Sequence, residues 1–583
     1  MKKNNNVRLA AVLTAATLAM AAILAGCGSS GGAKTADTAA APSQAASAAP
    51  SGQETAAPQA AQTTAAPGAA AAPTGNTANA NTTIRIGNYN NAVFVGSLDP
   101  TGATGPGPAH SANYLVYDKL LVYGPNGYFS RILSDWGWED DTTFYGVIKD
   151  EVKFNNGDPM TPDDILFTYK LIQDQSWMSS WYSFLDMDAS YGEGQKVVLK
   201  LKHPFALSEF YFSFAGLVNQ DVFEKKLADA GGVYEAMKPI DPAFVDGLGS
   251  GPYEITLFVN NDSANFKLRQ DWWGMAEYGS TLFAEIDTKI YGDQTTMGVD
   301  LETGVIDMAL DCSNMDATRA SQGGMGDAAA KIIFQNTDYY LRLSELSDKL
   351  KDVKVKQAIA ACIDEKAITK AAVGDAYGIP SKSVIPESNG EGYMTDEEIA
   401  QYYTYDPEKS KEILHSLGYA DGELQLTILA ETNVTPSKIG ELVQAQLMAG
   451  GFGASLVTTD PFSMEQYLDG SGKIDIVVTY ATDNPTANGF ACISNSQNSR
   501  FKDLALDDIP EFNTLFLAAR EAVTEAEADK ALKDYSSWMY QDYKWLGLFH
   551  YSQVLLYNPN VVDIDNSFIT SVINIDMSLV NRK

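Results

Sequence analysis

The chain changes character at residue 83, and that break constrains its folding more than any other feature. Residues 28 to 82 are almost wholly Ala, Thr, Pro, Gly, Ser, Gln and Asn, with no apolar periodicity from which a core could be built. From Thr83 onward, alternating apolar runs and capped helical stretches begin. The foldable body is therefore residues 83 to 583. That is too long for one core, so two or three packed lobes are expected.

The head of the chain reads as an address. Lys2, Lys3 and Arg8 precede a small-residue apolar run from Leu9 to Ala25, the arrangement of an export signal. The run closes on Leu24-Ala25-Gly26-Cys27, which resembles the lipobox of bacterial lipoproteins. That resemblance implies cleavage before Cys27 and lipidation of its thiol. The expectation is a signal peptide over 1–26 and a disordered tether over 27–82, spanning roughly 40 Å root-mean-square. Two or more acyl chains at Cys27 would hold the protein at a membrane, on its extracytoplasmic face, at the cell surface or in a periplasm. An uncleaved transmembrane helix fits less well, because the run is Ala-rich and barely long enough.

Charge and cysteine exclude several classes. The net charge is −33, of which residues 1 to 82 contribute +2, leaving −35 on the body. No dense Lys/Arg run occurs, so nucleic acid is not an expected partner. Cys27, Cys312, Cys362 and Cys492 form no CxxC pair and no zinc spacing. Cys362 lies in the apolar run Ala358–Ile363, where a small buried side chain is expected. The four histidines, His110, His203, His415 and His550, are scattered, with no HExxH motif, and no GxSxG elbow occurs. A cell-surface hydrolase is accordingly a minor alternative, and no cofactor or resident metal is expected.

Strand and helix patterns alternate along the body, which sets the class as α/β. Thr83-Ile84-Arg85-Ile86-Gly87 and Leu424-Gln425-Leu426-Thr427-Ile428-Leu429 alternate like half-buried strands. Thr161 is placed to cap a helix with Pro162 first and Asp163 and Asp164 in its opening turn, with Ile165, Tyr169 and Ile172 on one face. Asp406-Pro407-Glu408 opens another, bearing Ile413, Leu414 and Leu417, with Gly418 to close it. Phe512, Leu515, Phe516 and Ala519 give a helical stripe near the C-terminus.

Several segments, in order, resemble family 5 of the bacterial extracellular solute-binding proteins, the oligopeptide, dipeptide and nickel-binding group. They are Ser97-Leu98-Asp99-Pro100, Tyr117-Asp118-Lys119-Leu120-Leu121, Val152 to Ile165, Gly249-Ser250-Gly251-Pro252-Tyr253, Asp271-Trp272-Trp273-Gly274 and Glu302 to Asp307. The second half adds Val353 to Ile359, Ile363 to Ile368 and Tyr405 to Ser410. Each also has a plain structural reading: Phe154 to Asp164 as a strand, a turn at Asn156-Gly157 and a helix start, and Gly251-Pro252-Tyr253 as a turn. Two departures stand out, Lys356 in place of the usual Arg and Ser344 or Glu345 in place of an Asn. The resemblance implies a bilobed, periplasmic-binding-protein-like type II fold with an inserted extra domain. Lobe I would be 83–125 with 249–335 and 545–583, domain II 126–248 and lobe III 336–544.

It also implies a role: capture of a peptide or other small ligand between the lobes and delivery to an ABC permease, by a monomer. In the family's peptide binders the strand matching Asp475–Thr482 leads to an Asp that takes the ligand's α-ammonium, a role that falls by position to Asp483, with Tyr480 and Asn484 beside it. The segment Gly105-Pro106-Gly107-Pro108-Ala109-His110 stands where the family has a ligand-contacting loop. There Gly105 and Gly107 would let backbone amides approach closely, with Pro108 and His110 beside them. Arg342 could meet a ligand carboxylate. Plainer readings stand beside these: Asp483 as a turn starter, residues 105–110 as a surface turn and Arg342 as a strand-end surface arginine. A nickel or other metal-chelate binder, using His110, is the main rival. The anchor is tested first: Cys27→Ser is expected to abolish lipid labelling and membrane retention while leaving the body folded, and unchanged membrane fractionation would refute the lipobox reading.

Overall fold

The alternation at Thr83 becomes strand β1 (Thr83–Tyr89), with Ile84 and Ile86 buried and Arg85 outward. The computed structural model describes residues 83–89, 98–101, 113–175, 182–205, 207–239, 241–259, 262–387, 391–460, 463–468, 470–482, 509–569 and 575–583. All of them fall within one compact unit, Ala72–Lys583.

Further strands follow in chain order. A short hairpin, β2 (Val122–Gly124) and β3 (Gly127–Phe129), leads into β4 (Leu133–Asp140), β5 (Thr143–Ile148), β6 (Leu185–Glu193) and β7 (Lys196–Leu201). The last four pair as a separate antiparallel sheet in the order β4-β5-β7-β6. Next come β8 (Tyr253–Val259), β9 (Ser263–Leu268), β10 (Glu285–Tyr291) and β11 (Met308–Leu310). The long β12 (Ala329–Leu343) is followed by β13 (Gly378–Pro380), β14 (Gln425–Glu431), β15 (Gly453–Thr459), β16 (Ile476–Thr482) and the long β17 (Trp545–Tyr557).

One large mixed sheet joins these strands in the order β15-β14-β16-β12-β17-β11-β1-β10-β9-β8, with β13 also on β17. Among the described strands, only β12 and β17 pass from one half to the other. Ala329–Ile333 pairs with the C-terminal part of β17, and Thr337–Arg342 pairs with its N-terminal part, with a register shift between Ile333 and Thr337.

Apolar packing follows the same partition. One core gathers Ile84, Tyr117, Phe266, Ile286 and Leu555, a second Phe144, Tyr169, Tyr182 and Phe212, and a third Tyr340, Ile359, Ile428, Ile476, Phe512 and Trp545. The first core also takes in Val218, Phe223, Phe244 and Leu248, so part of segment 218–248 packs against β1 and its neighbours. The mixed α/β architecture is that expected for the bilobed type II fold.

Local expectations can be checked against contacts. The helix Pro162–Gln175 has Ile165, Tyr169 and Ile172 fully buried. Its cap differs: the Thr161 N–H and hydroxyl both donate to the Asp164 carboxylate at 2.8 Å, so Asp164 is the anchoring group. Helix Pro407–Ser416 starts as expected, Asp406 accepting from the Lys409 N–H. It closes with a Schellman pattern: Gly418, at φ +93°, donates to His415 O, and Tyr419 donates to Leu414 O. Cys362 is buried, its thiol against Ala358 O and Ser410 Oγ.

The motif segments of the first half converge on one joint. Tyr117 donates to Leu98 O at 2.8 Å, and the indoles of Trp272 and Trp273 donate to Ser250 O at 3.1 and 3.2 Å. Gly251 is there for close approach more than for turning, since a Cβ would lie 2.5 Å from Leu115 O. The two departures from the family pattern pair with each other, Lys356 Nζ lying 2.6 Å from Glu345. At the base of β16, fully buried Asp475 accepts from Ser347 Oγ at 2.5 Å, Lys349 Nζ at 2.7 Å and the Thr427 N–H at 2.7 Å. Asp475→Ala strands three donors and is expected to destabilise the protein by about 3 kcal/mol in denaturant unfolding. A loss under about 1 kcal/mol would contradict this anchoring role.

Candidate functional site

Parallel pairing gives each half of the sheet a carboxyl end. In the first half, β1 runs parallel to β10 and β11; in the second, β14 runs parallel to β15 and β16. The two groups point at each other. Ala309 of β11 pairs with Leu556, whereas Thr482, the last residue of β16, pairs with Thr337, itself opposite Tyr551. Five residues of β17 separate these levels, roughly 17 Å of strand. Ligands in open α/β sheets bind outside such carboxyl ends, where strand order switches.

Three tyrosines line this crossing. Tyr339 of β12 pairs directly with Tyr480 of β16, their ring centroids 5.4 Å apart and tilted by 45°. Tyr339 also lies 5.0 Å from Phe549 and 6.4 Å from Tyr551. The Tyr551 hydroxyl donates to Asn314 Oδ1 at 2.9 Å, and the Asn314 amide donates to Val373 O, which fixes that ring. On the crossing strands themselves, buried His550 Nδ1 and Asp338 Oδ1 lie 2.6 Å apart.

Two carboxylates flank the rings, one from each half. Glu431 ends β14 at 8% exposure; it accepts from Asn433 Nδ2 at 2.9 Å and the Tyr480 hydroxyl at 3.4 Å. Burial pushes its pKa up to about 7 against those two hydrogen bonds. Asp311 follows β11 directly and has φ +55°, an unusual conformation that Asp tolerates. Desolvation pushes its carboxyl up to about 7 as well, although the residue is partly open to solvent. Burial raises the phenols of Tyr339 and Tyr480 first, and the charges of both carboxylates raise them further. All four groups thus share one electrostatic environment.

Of the residues singled out from sequence, Tyr480 stands in this wall. Arg342 does not: it is buried at 2% exposure, opposite Val477 and Trp545, five residues down β12 from Thr337. It is neither at the crossing nor the surface arginine of the plainer reading. Asp483, Asn484, Gly105, Gly107, Pro108, His110 and Cys27 lie outside the described residues. Sequence reasoning missed Asp311, Glu431, Tyr339 and Tyr551. A usable signal existed for two of them, since Glu431 and Asp311 are acidic residues at the ends of apolar strand patterns. Among the described residues no three of His, Cys, Asp and Glu gather to hold a metal, and no helix is long and apolar enough to cross a membrane.

A raised carboxyl pKa means that the folded state keeps a proton the unfolded chain has lost. Stability from Glu431 is therefore fully present below about pH 4.5 and falls as pH rises to about 7. Glu431→Gln is expected to raise ligand-free stability by about 1–3 kcal/mol at pH 8 and to change it little at pH 4. An equal loss at both pH values in thermal melts would show that the carboxylate is a structural partner instead.

Comparison with known proteins fits this geometry. The chain is 21% identical over 471 residues to heme-binding protein A of Haemophilus influenzae, covering 76% of this chain and 82% of that protein. It is 24% identical over 433 residues to the dipeptide-binding protein of Escherichia coli, covering 66% and 75%. The fold superposes on the ABC transporter substrate-binding protein CtaP of Listeria monocytogenes with a TM-score of 0.70 at 18% identity, over 86% of this chain and 99% of that one. The sequence profile of the bacterial extracellular solute-binding proteins, family 5 Middle, matches residues 130–501. The match takes in more than half of the chain, which therefore belongs to the bacterial extracellular solute-binding proteins, family 5.

Proposed function

We propose that the protein is the lipid-anchored, substrate-binding component of an ABC importer, and that it captures peptides between its two halves and presents them to a permease. The observation that carries this reading is the opposition of the two sets of carboxyl ends, flanked by Tyr339, Tyr480 and Tyr551 and crossed, among the described strands, by β12 and β17. A ligand that touches both halves favours their closure, which is what a carrier needs in order to signal that it is loaded. The three-part division 83–125 with 249–335 and 545–583, 126–248, and 336–544 is part of this proposal; the separate core around Phe144, Tyr169 and Phe212 favours it for the middle segment, while residues 218–248 pack with the first core.

The ligand class follows from what the walls offer. Aromatic faces accommodate apolar side chains, and carboxylates accept hydrogen bonds from ammonium groups. One relative is named for dipeptides and another for haem, but Asp311 and Glu431 would repel a ligand rich in carboxylates. Binding without turnover is the expected chemistry, and a mixed peptide library should be returned intact. Asp483, one residue past β16, is the proposed partner of the peptide's α-ammonium. Asp483→Ala should weaken peptide binding by roughly 2–5 kcal/mol, because it leaves a buried charge unpaired. Acetylating the peptide's amino end should cost the wild type a similar amount and the variant little, a coupling that calorimetry on the four combinations measures. Equal losses on acetylation in both proteins would remove Asp483 from the site.

A further inference from the structure

Around the large sheet, several buried carboxylates are paired with basic side chains of the chain itself, while others, such as Asp118, which accepts from the Trp273 indole at 3.1 Å, are held by neutral donors. Asp307 meets Arg85 at 2.8 Å, Asp338 meets His550 at 2.6 Å, Glu365 meets Lys382 at 2.7 Å and Asp475 meets Lys349 at 2.7 Å. At the crossing, Glu431 and Asp311 likewise have no basic partner among the described residues. Glu431 is more than nine-tenths buried, yet its contacts are a neutral amide and a neutral phenol. Asp311 has no side-chain hydrogen bond or ion pair among the described residues, although its backbone carbonyl is held by Gln294 Nε2 at 2.8 Å. Leaving Glu431 buried without a cation costs folding free energy, and such a cost is commonly met where a site needs the charge for a ligand; Asp311, partly open to solvent, adds a second carboxylate with no cation beside it among the described residues.

The surroundings specify the missing charge. Tyr339 and Tyr480 meet at 45° and form a corner, with Tyr551 beyond, and tyrosine faces attract organic cations. We propose that this crevice selects a ligand carrying an organic cation, an ammonium or guanidinium, held between Asp311 and Glu431 against the rings of Tyr339, Tyr480 and Tyr551. The proposal rests on the crevice being the ligand site and adds the chemical class of what enters it. For a peptide it means a lysine-like or arginine-like side chain, distinct from the α-ammonium assigned to Asp483. Because Asp311 stands on one half and Glu431 on the other, a cation reaching both would link recognition to closure.

Titration calorimetry on the full body with Ala-Lys-Ala, Ala-Arg-Ala, Ala-norleucine-Ala and spermidine tests this. The cationic peptides are expected to bind at least tenfold more tightly than the norleucine peptide. Asp311→Asn and Glu431→Gln should each bring the affinity for the cationic peptides to within about threefold of that for the norleucine peptide measured on the same variant. Equal binding of all three peptides overturns the proposal and leaves peptide capture standing. Binding of spermidine with no peptide bound, lost in both variants, upholds the cation site and overturns peptide capture. Nickel chloride is titrated in parallel: tight nickel binding that both variants abolish, with no preference among the peptides, overturns the proposal in favour of a metal site. Should either variant fail to fold, the wild-type peptide series decides alone.

Discussion

The pairing of β12 with β17 is the constraint on which the rest depends. These two antiparallel strands, of fifteen and thirteen residues, carry a single sheet through both halves of the body, and no other described strand spans both. Their register puts β11 and β16 at opposite ends of the same ladder, so the two parallel groups face each other across a few residues of β17. The crevice therefore follows from topology, before any side chain is considered. The side chains at that level are those of the crossing strands, and for that reason Tyr339 and Tyr551 line the crevice wall.

Much of the fold was legible because its signals are local. The Asn156-Gly157 turn, the Asp406-Pro407 helix start and the Phe512 stripe each lie within a dozen residues and match the described elements. The family motifs were legible for the same reason, and contacts show what they are for: Tyr117, Ser250, Trp272 and Trp273 lock one joint and perform no chemistry at the crevice. The site was harder to read. Tyr339 and Tyr480 are 141 positions apart, and Asp338 and His550 are 212 apart. Only the strand order brings them together, and no local pattern encodes that order. Arg342 was misjudged for a related reason: its place near the end of a strand suggested exposure, but that end is flanked by β16 and β17.

Asp311 and Glu431 illustrate where local consistency gives way to function. Asp307, Glu365 and Asp475 have an arginine or lysine partner and Asp338 a histidine, whereas Asp311 and Glu431 have no basic partner among the described residues. A body carrying −35 overall has no shortage of acidic side chains at its surface. What sets these two apart is their place at the crossing, Asp311 at the end of β11 and Glu431 at the end of β14. On the proposed reading, a charge left unmatched there weakens the empty protein and strengthens the loaded one, as suits a carrier that must hold its ligand and then give it up.

Such crevices retain what they capture, so the most direct measurement is mass spectrometry of the small molecules released when the purified protein is denatured. The account predicts short peptides enriched in lysine or arginine, recovered in near-stoichiometric amount. Recovery of a haem, a metal chelate or another non-peptide ligand in that amount would contradict it.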